Sequence, residues 1–171
     1  MIVNEVRECL KKVCEVLNSN HVEYLVVGGA AVSYYGFNRP SGIGNYHSEL
    51  KVDLDFWYNP TIANFHNLLN ALDKLDIDTG ELRSIIFDKK KTYLKIPLQD
   101  FHTDFLPLIE GTESFPKSLK KAEFLMIEEL RVPIISIEDL LANKKKINRP
   151  SDQLDIEKLE DLRKKRPDQI P

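Results

Sequence analysis

Cysteine, glycine and long apolar runs are all scarce in this chain. Cys9 and Cys14 are its two cysteines among 171 residues. They lie five apart in a predicted first helix and point to different sides. That argues against a disulfide between them and offers no metal-ligand spacing, so both read as reduced thiols. No stretch approaches the roughly 18 apolar residues that a membrane span needs. Met1-Ile2-Val3-Asn4-Glu5 has neither the basic nor the apolar part of a leader segment. The expectation is a soluble, cytoplasmic protein with no membrane partner. Seven glycines and nine prolines are too few for a disordered linker, and no repeat or low-complexity tract is visible. An excess of positive charge is also missing. Lys and Arg number 24 against 27 Asp and Glu, a net charge of -3. That leaves no overall electrostatic footprint for nonspecific nucleic-acid binding, although a local basic patch stays open.

What is present is enough apolar material for a core, at 42% hydrophobic residues. Val3, Val6, Leu10, Val13, Val16 and Leu17 are spaced for an amphipathic helix over 3–17, ended by Asn18-Ser19-Asn20. Tyr24-Leu25-Val26-Val27 reads as a short buried strand. Gly28-Gly29 reads as a turn, followed by a short helix over 30–35 that Gly36 ends. Residues 37–49 read as a loop. Residues 52–58 alternate and are strongly β-prone. Asn59-Pro60 breaks that strand, and Thr61 caps a helix running to about Leu75. Strands are expected at 83–87, 93–96 and 101–106. Two more, at 124–127 and 132–135, form a hairpin around Glu128-Glu129-Leu130-Arg131. Ser136 caps a helix to about Ile147, with Glu138 and Asp139 in its first turn where the helix dipole favours acid. A last helix covers about 151–164. The order predicts an α+β fold: a small mixed β-sheet flanked by helices, with a C-terminal helical portion. One domain over 1–171 is expected, its core about 20–135 and its C-terminal helices about 136–165.

The chemistry begins at Asp53 and Asp55. Residues i and i+2 of a strand share a face, so two carboxylates project side by side while Val52, Leu54 and Phe56 face the other way. Like charges this close repel. A divalent cation removes the repulsion, because magnesium takes carboxylate oxygens. The other reading is a pair on a solvent-facing strand surface. Gly28-Gly29 is the second feature. Backbone N–H groups at a helix start can hold a phosphate, and glycine allows close approach. A tight strand-to-helix connection without ligand explains it equally well. No Gly-Lys-Ser/Thr follows, which excludes a P-loop. Ala30, Ala31 and Val32 stand where a dinucleotide-binding fingerprint needs more glycine, and that fingerprint needs a doubly wound parallel sheet. Asp104 is the third feature, an acid in the β-prone segment Phe101-His102-Thr103-Asp104-Phe105-Leu106. It is either a surface acid at a strand end or, if its strand lies beside that of Asp53 and Asp55, the third member of a metal-binding set. His102 shares its face and is read as a neighbour.

The stretch Val26-Val27-Gly28-Gly29-Ala30-Ala31-Val32-Ser33-Tyr34-Tyr35-Gly36-Phe37-Asn38-Arg39, followed by Asp53-Leu54-Asp55-Phe56-Trp57, resembles the nucleotidyltransferase superfamily with the DNA polymerase β-like catalytic fold. It looks closest to the bacterial branch that holds abortive-infection toxin type nucleotidyltransferases. The run Val132-Pro133-Ile134-Ile135-Ser136-Ile137-Glu138-Asp139-Leu140-Leu141-Ala142-Asn143-Lys144 resembles that branch's lysine-bearing helix. Arg149-Pro150-Ser151-Asp152-Gln153-Leu154-Asp155 resembles its Arg-x-x-Asp-x-x-Asp motif.

The resemblance implies transfer of a nucleoside monophosphate from a nucleoside triphosphate to a hydroxyl of a tRNA, a protein or a small molecule. It implies Mg2+ or Mn2+ held by Asp53, Asp55 and Asp104, with Asp104 also acting as base toward the acceptor. It implies nucleotide contacts from Gly28, Gly29, Arg39 and Lys144. Asp152 and Asp155 would touch the nucleotide or merely cap and solvate a helix start. The run Lys144-Lys145-Lys146 reads equally as a solvated face. The alternative is a catalytically silent member that binds nucleotide or a cognate antitoxin partner. One departure bears on activity. Fourteen positions separate Arg39 from Asp53, where the branch usually has only a few. The inserted residues 40–51 hold Gly42, Gly44, Tyr46 and His47. They are expected at the mouth of the site, as a lid, an acceptor-binding loop or a plug.

Overall fold

The computed structural model describes residues 2–38 and 52–166. The chain opens with helix α1 (Asn4–Ser19), strand β1 (Tyr24–Val27) and helix α2 (Gly28–Tyr34). Strand β2 (Val52–Tyr58), helices α3 (Ile62–Asp73) and α4 (Gly80–Ser84), and strands β3 (Leu94–Pro97) and β4 (Phe101–Leu106) follow. The chain ends with helix α5 (Phe115–Lys120), the pair β5 (Glu123–Ile127) and β6 (Leu130–Ile134), and helices α6 (Ile137–Ile147) and α7 (Pro150–Lys164). The six strands form one mixed sheet in the order β3-β4-β2-β1-β6-β5. β2 pairs parallel with β4 and antiparallel with β1. The α+β architecture expected above is what the chain adopts.

Burial explains the layers. On one face of β2, Leu54, Phe56 and Tyr58 are fully buried. The Phe56 ring stacks on Phe105 and meets Tyr24 edge-on, and Tyr58 lies against Phe65 of α3. Leu10, Val13, Cys14 and Leu17 give α1 its buried side, with Cys9 half-buried on another. The opposite face of β2 changes along its length. Trp57 is buried there against Phe115 of α5, with its Nε1–H donating to the carbonyl of Pro107 at 3.2 Å. Toward the start of the strand Asp55 is half-buried and Asp53 is exposed. Among the described residues, this face is closed by aromatic packing at one end and less covered where the two acids stand.

Several boundaries follow the expected local chemistry. Thr61 Oγ1 accepts from the Asn64 N–H at 3.2 Å and starts α3, and Ser136 Oγ accepts from the Asp139 N–H at 3.2 Å and starts α6. Each such cap contributes about 1 kcal/mol. Other expectations need correction. The strand expected at 83–87 is absent. Arg83 instead closes α4, its guanidinium bound to Asp73 at 2.6 Å, Asn70 at 2.9 Å and Thr79 at 3.0 Å. Ile86, 95% exposed, has no sheet to pack on. Gly28 and Gly29 are the first turn of α2 itself, not a turn ahead of it. The hairpin connection is two residues, Glu128-Glu129, with Glu128 in the left-handed region at φ 56°. Leu130 and Arg131 belong to β6. Helix α5, with proline in its first turn after Ser114, had not been anticipated.

Candidate active site

The register of β2 and β4 decides whether the three acids meet. Asp55 pairs directly with Asp104, and Asp53 with His102, in a parallel ladder. Directly paired residues point to the same side of a sheet, and Asp53 shares that side with Asp55 by the period of two. All three carboxylates therefore stand on the open face. His102 stands there too, exposed beside Asp53. Burial pushes the Asp55 carboxyl up to about 6, and the neighbouring charges of Asp104 and then Asp53 add to it. Arg149 and Lys144 act in the opposite sense and offset only part of it.

The other side of Asp55 is the end of β1. Val27 pairs with Asp55 across the antiparallel ladder, so the chain enters α2 right beside that carboxylate. Gly28 sits at φ +61°, and a Cβ there would lie 2.1 Å from Asp55 Oδ2. Both the backbone angle and the space demand glycine. Gly29 differs: a Cβ on it would meet nothing within 4 Å. One glycine is wedged against the acid and the other borders open space. Across β4, β2 and β1 the order is Asp104, Asp55, Gly28.

The C-terminal helices bring two cations near this face, together with the two aspartates that pair with them. Lys144 on α6 is buried, its Nζ 3.0 Å from Asp152 Oδ1 and 2.8 Å from Asp155 Oδ2, both on α7. Neither aspartate is exposed at all, so the reading in which they cap and solvate a helix start holds only for the cap. Asp152 Oδ2 accepts from the Arg149 N–H at 3.1 Å and pairs with Arg149 Nε at 2.9 Å. Burial raises the Asp152 carboxyl, but the hydrogen bonds from Arg149 and Lys144 overcome this and hold it at about 2. The Arg149 side chain remains 63% exposed. The solvated-face reading holds for Lys145 and Lys146, which are exposed, and fails for Lys144, which is buried in its pairs with Asp152 and Asp155.

Arg149 and Tyr93 were not singled out from the sequence. Arg149 stood inside a recognised motif, and its influence on Asp55 depends on how α7 folds back. Tyr93 donates its hydroxyl to Asp104 Oδ2 at 2.5 Å. The sequence held no signal for it, because the register that sets Lys95 against Asp104 joins two strands. Arg39 and the insert 40–51 lie outside the described residues.

A family model described as "Nucleotidyl transferase of unknown function (DUF2204)" matches residues 6–170. The chain belongs to this family. Three solved structures share the fold of this DUF2204 protein. A Thermotoga maritima protein assigned to the nucleotidyltransferases, TM1012, is 18% identical with a TM-score of 0.58, over 96% of this chain and 94% of that one. The lincosamide antibiotic adenylyltransferase LnuA, bound to lincomycin, is 16% identical with a TM-score of 0.55, over 95% and 99%. The antibiotic-resistance factor ANT(2'')-Ia is 13% identical with a TM-score of 0.51, over 92% and 88%. No curated protein matches the chain in sequence. At these identities the likeness carries the fold and leaves substrates to be argued from the site.

The donor chemistry of the DUF2204 site suits a hard divalent cation. It consists of carboxylates whose mutual repulsion is already expressed in the raised Asp55. Among the described residues no group of three or more His, Cys, Asp or Glu side chains is arranged to hold a metal ion. Asp53, Asp55 and Asp104 stand on one face of the sheet without forming such a group. No helix among the described residues is long and apolar enough to cross a membrane.

Proposed function

We propose that this DUF2204 protein moves a nucleoside monophosphate from a nucleoside triphosphate to a hydroxyl acceptor, with Mg2+ or Mn2+ held by Asp53, Asp55 and Asp104. The observation that carries the reading is the pairing of Asp55 with Asp104 on one open face, with Gly28 pressed against Asp55. When bound, the metal would neutralise phosphate charge and align the displacement at the α-phosphorus. The chain's own residues do the rest. Gly29 leaves space for phosphate oxygens at the start of α2. Arg149 adds a cation that reaches solvent, whereas Lys144 is taken up by its buried pairs with Asp152 and Asp155. Asp104, on the same face but on the far side of Asp55 from Gly28, accepts the proton of the incoming hydroxyl. The acceptor is a tRNA, a protein or a small hydroxylated compound of the antibiotic class.

Incubation with each labelled nucleoside triphosphate, Mg2+ or Mn2+, and cell extract as acceptor pool tests this. Label transfer that disappears in Asp53→Asn and Asp104→Asn is expected. Equal labelling by the variants refutes the site.

A second reading is a catalytically silent protein that binds nucleotide, as one member of a toxin–antitoxin pair. It is favoured by the withdrawal of Lys144 into its buried pairs with Asp152 and Asp155. Calorimetry with nucleoside triphosphate and Mg2+, wild type against Asp53→Ala, separates the two: binding without turnover supports the silent reading.

A further inference from the structure

Tyr93 immediately precedes β3, the edge strand on the far side of β4 from β2. Its hydroxyl donates to Asp104 Oδ2 at 2.5 Å. The phenol hydroxyl is the donor and the carboxylate oxygen the acceptor. Charge-assisted O–H···O⁻ bonds of this length are the stronger kind. The ring is held in turn: Lys95 Nζ lies 5.9 Å from its centroid, and Lys95 pairs in register with Asp104. Asp55 is fixed by burial and by Gly28, whereas Asp104 stands toward the open edge with one strand beyond it.

We propose that Tyr93 is a positioning residue that fixes the Asp104 carboxylate by one oxygen, leaving Oδ1 for the divalent cation or the acceptor proton. This rests on the nucleotidyltransferase reading of the three acids. Without the hydroxyl the carboxylate turns about its terminal torsion, and the geometry shared with Asp55 is lost. Partners that orient a ligating carboxylate typically contribute a factor of about 10 or more in metal affinity or rate.

The test uses Tyr93→Phe, which keeps the ring and its contact with Lys95. Free Mn2+ is measured by electron paramagnetic resonance against wild type, Tyr93→Phe, Asp104→Asn and Tyr34→Phe, with a nonhydrolysable triphosphate analogue present. Tyr34→Phe also removes a hydroxyl bonded to a carboxylate, that of Glu123, but well away from the acids. The expected result is about tenfold weaker Mn2+ binding in Tyr93→Phe, a larger loss in Asp104→Asn and none in Tyr34→Phe, with melting temperature unchanged for Tyr93→Phe. In turnover, kcat falls while KM for the triphosphate stays. Loss of Mn2+ binding in Asp104→Asn alone overturns the role of Tyr93 and spares the site. Wild type that binds no Mn2+ overturns both. Nucleotide found covalently on Tyr93 also overturns it, because the hydroxyl is then an acceptor.

Discussion

At the scale of single residues, Gly28 and Gly29 look interchangeable in the sequence and are not so in the fold. Gly28 has a positive φ and an acid oxygen where its Cβ would stand. Gly28→Ala must accept a left-handed backbone, which costs about 1–2 kcal/mol, and must also push the Asp55 carboxylate aside. Gly29 has an ordinary helical backbone and open surroundings. Gly29→Ala is expected to leave stability unchanged or raise it by up to about 1 kcal/mol, since alanine is the better helix residue. Both are expected to weaken triphosphate binding, for different reasons: one displaces a carboxylate, the other fills the space a phosphate would use. Urea unfolding and nucleotide titration of the two variants check the split. Equal stability of both variants would contradict the geometry at Gly28. The sequence pointed to the pair but not to this division, because the difference lies in what β2 places beside each.

At the scale of elements, the strands were largely legible and their partners were not. The Val52–Tyr58 and Phe101–Leu106 stretches announce themselves by alternation, and Asp53, Asp55 and Asp104 fall on the polar phase of that alternation. That β4 pairs beside β2, and in the register that sets residue 104 against 55, depends on contacts such as Phe56 on Phe105. Periodicity within one strand cannot contain them. The failure at 83–87 has a similar cause. A β-prone Ile85-Ile86-Phe87 was outweighed by the hydrogen bonds that Arg83 makes to Asp73, Asn70 and Thr79. Asp152 and Asp155 mark the same limit, since acids near a helix start look like solvated caps until a second helix buries them.

The α6–α7 pair carries its own prediction. Lys144, Arg149, Asp152 and Asp155 balance two cations against two anions in a largely dry setting. Removing one partner from such a set typically costs about 3–5 kcal/mol, because the remaining charge is left uncompensated. Asp152→Asn is expected to destabilise by that order. Its pH signature has a definite sign. The Asp152 carboxyl is held at about 2, below its ordinary value near 3.9. Its contribution is complete above about pH 4 and is lost as pH falls toward 2, on the order of 2 kcal/mol in all. Urea unfolding at pH 5 and pH 3 should show a smaller difference in Asp152→Asn than in wild type. An identical acid response would mean that the network does not hold Asp152 ionised.

At the scale of the whole molecule, the acid face is a strained place in an otherwise well-packed sheet. Aromatic burial around Phe56, Tyr58 and Trp57 stabilises β2, while the start of the same strand gathers like charges. For Asp55, raised to about 6, the sign is opposite to that of Asp152. Metal-free protein keeps its full stability below about pH 4 and loses some as pH rises through 6, by on the order of 1–3 kcal/mol. Asp55→Asn removes the charge, so metal-free Asp55→Asn is expected to be more stable than wild type at pH 7.5 and to lack this decline. Divalent cation should reverse the ranking. At a free concentration near 100 times its dissociation constant, Mn2+ stabilises wild type by about 2.7 kcal/mol, a rise of roughly 5–10 °C in melting temperature for a chain of this size. Asp55→Asn should gain little of it. Calorimetric melting of both proteins at pH 5 and 7.5, with and without Mn2+, reads all of these at once. If Mn2+ raised both proteins equally, the cation would be binding elsewhere, and the open face would be an electrostatic strain without the ligand that gives it a purpose.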